Sequence, residues 1–163
     1  MTQPVQTPDL EVQREAMKKL QFLVGRWAGE ACLYRGQNEP TVLEQTEEAQ
    51  YKLDGLILLI EGLGRTKADS KPSLQALGII SYDDANATYK MRAFNDGHFL
   101  ETEVRLLQDG TGLQWGFALG EIRTSSVLRI NEKGEWTEHA EIRIGAQPAK
   151  KLMELTVRRL DSI

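Results

Sequence analysis

Leu23-Val24-Gly25-Arg26-Trp27-Ala28-Gly29-Glu30 is the stretch whose reading decides the fold. Before it, apolar residues recur near helical spacing. After it, they alternate with polar ones. A glycine and a tryptophan stand at the junction, so the chain reads as a short helix that feeds a long run of strands, with Trp27 at the head of the first.

Working back from that junction, Leu10, Met17, Leu20 and Val24 form an apolar stripe, and Glu15 lies four residues before Lys19. Thr7 suits the N-cap, with Pro8 at the first helical position and Asp9 and Glu11 in the first turn. These features predict a helix over residues 8–22 behind a polar, frayed tail over 1–7. The stripe needs a surface to cover, and the end of a barrel supplies one.

Working forward, period two takes over and turn signals arrive at short intervals. They are Gly36-Gln37-Asn38-Glu39-Pro40, the hairpin dipeptide Asp54-Gly55, the polar loop Lys67 to Pro72, Asp83-Asp84-Ala85-Asn86, Asn95-Asp96-Gly97, Asp109-Gly110-Thr111-Gly112, Gly120, Glu132-Lys133-Gly134 and Ala146-Gln147-Pro148-Ala149. Nine breaks leave ten segments. Leu100, Thr102, Val104 and Leu106 share one face, as do Leu113, Trp115, Phe117 and Leu119, then Ile122, Thr124, Ser126, Leu128 and Ile130, then Met153, Leu155 and Val157. One buried and one wet face is the antiparallel signature, and the lack of a second convincing helix excludes parallel βαβ units. A flat meander would leave two long edges open, so closure is expected. The fold class is all-β: an antiparallel up-and-down barrel of about ten strands over residues 26–160, one domain spanning 1–163, capped at one end by the helix. A barrel of about eight to ten strands is wide enough to hold a small molecule.

Composition narrows the function classes. The chain has 163 residues, a formal net charge of −4 and a single cysteine, Cys32. The acidic balance argues against a nucleic-acid or anionic-membrane binder. One cysteine forms no internal disulfide, which fits a cytoplasmic location. The longest aliphatic run, Leu56 to Ile60, is too short for membrane insertion, and the first eight residues do not resemble a signal peptide.

The helix, then Gly25-Arg26-Trp27, then the ten-segment meander resembles the calycin superfamily of lipocalins, fatty-acid-binding proteins and nitrobindin-like barrels. Phe22 to Glu30, Leu77-Gly78-Ile79-Ile80-Ser81-Tyr82-Asp83 and Tyr89-Lys90-Met91-Arg92-Ala93-Phe94 resemble a bacterial lipocalin-like family, the DUF1579-type proteins. The resemblance implies a calycin-like barrel with Trp27 at its closed end and a basic residue of the last strand stacked over the indole. Arg158 and Arg159 are the candidates. Arg158 is favoured because it lies on the face opposite Met153, Leu155 and Val157.

The expected ligand is a small hydrophobic or amphipathic molecule, lipid- or fatty-acid-like, held inside the barrel. Trp115, Phe117, Tyr82 and Met91 are either core fillers or ligand contacts. Arg92 is either an interior cation that pairs with a ligand carboxylate, as fatty-acid-binding proteins use, or an outward residue beside Lys90. Glu61 is either a carboxylate inside the cavity or the point where its strand leaves the core. His139 shares parity with Thr137, Glu141 and Arg143, which reads as a solvent face; with His98 it is the only source of an imidazole for the haem that nitrobindin-like relatives hold. No cofactor, metal cluster, HExxH, GxSxG or phosphate loop is read, and Gly62-Leu63-Gly64 is no nucleotide fingerprint because no helix follows. The alternatives are a filled barrel that associates with itself as a homodimer or with a partner, and an enzyme whose site residues are distant in sequence.

Overall fold

The alternation after Gly25 resolves into strands β1 (Gly25–Leu33), β2 (Thr41–Lys52), β3 (Ile57–Thr66), β4 (Pro72–Asp83), β5 (Thr88–Asn95), β6 (His98–Leu106), β7 (Gly112–Leu119), β8 (Ile122–Ile130), β9 (Trp136–Ile144) and β10 (Lys150–Arg159) in a computed structural model. Each strand pairs antiparallel with the next, and β10 pairs with β1, which closes the barrel and leaves no sheet edge. The structure describes residues 5–36 and 39–160. Residues 1–4 of the expected tail, and Gln37 and Asn38 of the first turn, lie outside them. Among the described residues no helix is long and apolar enough to cross a membrane.

The turn chemistry sets the register. Asp96 and Gly97 both take positive φ between the paired residues Asn95 and His98, as a two-residue hairpin requires. Asp54-Gly55 differs from the expected two-residue turn. Lys52 pairs with Ile57, so four residues form the connection, and Leu53, Asp54 and Gly55 all adopt positive φ.

The helix α1 (Leu10–Lys18) is shorter than the expected 8–22 and starts later. Asp9, not Thr7, is the N-cap: its carboxylate accepts from the amides of Glu11 and Val12 at 3.1 Å. The backbone N–H of Asp9 is itself anchored on Asp84 Oδ2 at 2.8 Å, in the β4–β5 turn. After Lys19 the chain tightens into a 3₁₀ turn, Gln21–Leu23. The buried stripe is Ala16, Met17, Leu20 and Leu23, whereas Leu10 is exposed. Glu15 pairs with Lys18 at 2.7 Å instead of with Lys19. Hydroxyls of Tyr89 and Tyr51 donate to the carbonyls of Ala16 and Met17, so the barrel rim satisfies the helix end.

Trp27 ties this cap to the barrel seam. It is 1% exposed, its Nε1–H donates to the Leu23 carbonyl at 2.9 Å, and its ring meets Trp136 edge-on at 5.5 Å between centroids. The cation over its face is Arg159, at 4.1 Å, and not Arg158. Arg159 shares parity with Leu155 and Val157, so it continues the inner face past the end of the core. Its guanidinium also donates to the carbonyls of Val24 and Phe22. Arg158 points outward and pairs with Glu135 at 2.7 Å.

Arg159→Ala removes a cation–π contact and two charge-assisted hydrogen bonds, and we expect it to cost about 1–3 kcal/mol of unfolding free energy. Arg158→Ala is expected to cost less, at most about 1 kcal/mol, because its guanidinium lies in solvent and its buried partner Glu135 keeps a hydrogen bond from Asn131. Urea denaturation of the two variants checks this, and equal losses would refute the assignment.

Candidate functional site

The layers near the helix are filled: Leu58, Ile80, Tyr89, Val104, Leu113 and Val157 are buried above Met17 and Leu20. The other half of the barrel is hollow. A cavity of about 440 Å³ runs from the Trp136 ring to the opposite end. Met91, Trp115, Phe117, Ile60 and Leu100 line its apolar wall. Its mouth carries Arg35, Ser73, Asn95, Asp96 and His98. Arg35 Nη2 donates to the Ser73 carbonyl at 3.1 Å and to its Oγ at 3.2 Å, bridging the β1–β2 and β3–β4 ends across one side of that mouth.

The floor is polar. Gln45 and Glu47 lie on the inner face of β2 between Leu43 and Ala49, and Glu47 is 7% exposed. Gln45 Nε2 donates to Glu47 Oε1 at 2.8 Å. Glu138 lies on the inner face of β9 between Trp136 and Ala140, and its accessible surface opens onto the cavity it lines. Burial, and then the nearby charge of Glu138, push the Glu47 carboxyl up to about 8; the Gln45 amide opposes this. Burial likewise pushes Glu138 up to about 7, opposed by the indole N–H of Trp136. That indole N–H stays outside full hydrogen-bond geometry: Trp136 Nε1 and Gln45 Oε1 are buried without a partner.

Two glycines make room for this floor. A Cβ at Gly62 would sit 2.8 Å from Glu47 Oε1. One at Gly64 would sit 2.4 Å from Gln45 Oε1 and 2.6 Å from Leu43 Cδ1. The pair Gly62 and Gly64 on β3 faces Glu47 and Gln45 in register, so the two strands together admit polar side chains where the rest of the wall is apolar.

The expected site residues divide between the two faces. Met91, Trp115 and Phe117 line the cavity. Tyr82 does not; it packs edge-on against Tyr89 at 4.9 Å, near the helix-capped end. Arg92 faces outward and pairs with Glu101, its cross-strand partner on β6, at 2.8 Å. It shares the outer face with Lys90, so it supplies no interior anchor for a carboxylate. Glu61 is exposed on the outer face of β3, one residue before Gly62, where period two turns it away from the cavity. His139 is outward too, 3.8 Å from Glu154. His98, at the mouth, is the histidine that borders the cavity. Among the described residues no cluster of three or more His, Cys, Asp or Glu is placed to hold a metal ion.

Gln45, Glu47, Trp136 and Glu138 escaped the sequence reading. The segment Glu44-Gln45-Thr46-Glu47-Glu48 is polar at every position and shows no period. The available signal was the parity that joins Gln45 and Glu47 to Leu43 and Ala49, together with the two glycines of the following strand.

Known structures resemble the whole barrel. Rv2717c from M. tuberculosis superposes with a TM-score of 0.66 at 14% identity, over 90% of this chain and 98% of that one. The S-type phycobiliprotein lyase CPES from Guillardia theta superposes with a TM-score of 0.62 at 8% identity, over 96% of this chain and all of that one. These likenesses show a shared barrel fold, and with the closed ten-strand topology they fit a calycin-like barrel. No protein-family model and no curated protein sequence matches the chain.

The floor carboxyls set a sign for pH dependence. Unfolded, both titrate near 4.5; folded, they hold their protons to about 8 and about 7. Between those limits the folded state binds more protons, so their contribution to stability falls as pH rises from about 4.5 and levels off above about 8. We expect Glu47→Gln/Glu138→Gln to leave Tm nearly unchanged at about pH 4 and to raise it by on the order of 5 °C at about pH 9. Thermal melts across pH check this. A variant curve parallel to that of the parent would mean that the carboxyls are not buried as described.

Proposed function

We propose that the protein binds one small hydrophobic or amphipathic molecule inside the barrel. The apolar body lies against Met91, Trp115 and Phe117, and the polar end meets the floor formed by Glu47, Trp136 and Glu138. The observation that carries this reading is the cavity itself, about 440 Å³ of largely apolar interior with a few convergent polar groups. Volumes of about 300–1,000 Å³ with that lining are typical of small-molecule sites. A barrel built only to fill its own core would close this space, because empty volume costs stability.

Two further features support the reading. Trp136 Nε1 is a buried donor without a partner at the cavity floor, where a ligand atom or a water would complete it. A barrel of the same fold is a phycobiliprotein lyase, which is consistent with a small molecule occupying such an interior.

Native mass spectrometry of gently purified protein, with a visible absorption scan, tests the proposal. We expect a bound small molecule that is lost from Ala93→Phe, in which a ring enters the cavity from β5 while the fold persists. Ala93 lines the cavity, and binding of a neutral apolar probe to that variant is expected to weaken at least about tenfold. Unchanged probe binding in Ala93→Phe would show that ligands bind elsewhere. A Soret band would assign the interior to haem, with His98 at the mouth as its ligand.

A further inference from the structure

If the interior is a ligand site, the chemistry of its floor selects the ligand. Glu47 and Glu138 reach it from opposite sides of the β1–β10 seam, and apart from the Gln45 amide on Glu47 and the Trp136 indole N–H beside Glu138 their surroundings are apolar groups and backbone. Around Glu47, β1 offers Trp27 and β3 offers Gly62. Around Glu138, β8 offers Leu128 and β10 offers Leu155. Among the described residues the other charged or titratable groups that line the cavity are Arg35, Asp96 and His98, and these stand at the mouth. Among the described residues no arginine, lysine or histidine lines the floor. An interior carboxylate pair is costly, and it is ordinarily found paired with a cation. Here Glu47 is instead given room: a Cβ at Gly62 would come within 2.8 Å of its carboxylate. The buried Trp136 Nε1–H is directed at Glu138 without full hydrogen-bond geometry, so a better-placed acceptor could take it.

We propose that the cavity takes an organic cation, a protonated amine on an apolar body, whose nitrogen sits between Glu47 and Glu138. This rests on the reading of the barrel as a small-molecule site and deepens it. The ammonium donates to both carboxylates, and an acceptor atom near the nitrogen takes the Trp136 N–H. A fatty acid is disfavoured by the same floor, because its carboxylate would meet two acidic groups and no cation. Entry of the cation displaces the protons that the carboxyls otherwise hold, so binding releases protons at neutral pH and strengthens as pH rises. A carboxylate ligand would show the opposite trend.

Three probes of one chain length separate the possibilities: decylamine, decanoate and decanol. Their binding is measured by isothermal titration calorimetry, at about pH 6 and about pH 8.5, in buffers of different ionisation enthalpy that count the protons released. We expect decylamine to bind at least about tenfold tighter than decanoate at the higher pH and to gain affinity between the two. Glu47→Gln/Glu138→Gln, which replaces buried acids by isosteric amides, should keep decanol binding and lose the preference for the amine. Decanoate binding as tightly as decylamine, or an amine preference that survives the double substitution, overturns the cation proposal while leaving the cavity reading intact. If none of the three binds, decanol included, the cavity reading fails and the cation proposal fails with it.

Discussion

The barrel depends on how Trp27 is held. Its indole N–H is fixed on the Leu23 carbonyl, its edge packs on Trp136, and its face carries Arg159. Those contacts join the segment after the helix, the first strand, the ninth and the tenth. Closure of a ten-strand sheet requires its first and last strands to meet, and they meet around this ring. Without closure, both β1 and β10 would present unpaired backbone groups to solvent. The indole supplies the apolar mass that makes the seam favourable, and the guanidinium finishes the exposed end by binding carbonyls that the 3₁₀ turn leaves free.

The same Trp27–Trp136 layer divides the interior into two parts with different physics. Toward the helix the space is filled by aliphatic and tyrosine side chains, and the tyrosine hydroxyls are used up on helix carbonyls. Beyond the tryptophans the space is open, and polar side chains enter it. An acidic pair in such a place is unstable as two charges, and only Glu47 has a full hydrogen bond, from Gln45, so the protonation of the pair responds to whatever occupies the cavity. The glycines of β3 indicate that this is a shaped feature of the wall. Each sits directly across from one of the polar side chains, and each would clash with it if it carried a Cβ.

The exposed charges contrast with that interior. Arg92 with Glu101, Arg129 with Asp109 and Lys18 with Glu15 form exposed pairs that contribute little to stability. They keep the outer face wet, which is what lets period two identify it. The interior carboxyls lack that alternation signal, because Glu47 lies in a run of polar residues and Glu138 is flanked by Thr137 and His139.

By itself the sequence determined the architecture. Nine turn signals, a period of two and the helical stripe before Gly25 specified ten antiparallel strands, their closure and the capping element, because these depend on local backbone preference and on which face of each strand is apolar. The inward parity of Trp115, Phe117 and Met91 was legible for the same reason. Tertiary structure decided what neighbours in space decide. Arg159 lies over Trp27 because the β1–β10 register places it there, Asp9 caps the helix because Asp84 anchors it, and Arg92 and Glu61 face solvent because each is one residue out of phase with the cavity wall. The floor belongs to this second group as well. Glu47 and Glu138 lie far apart in the chain, and only the curvature that closes the barrel brings them into one largely apolar space where the charge of Glu138 raises the proton affinity of Glu47.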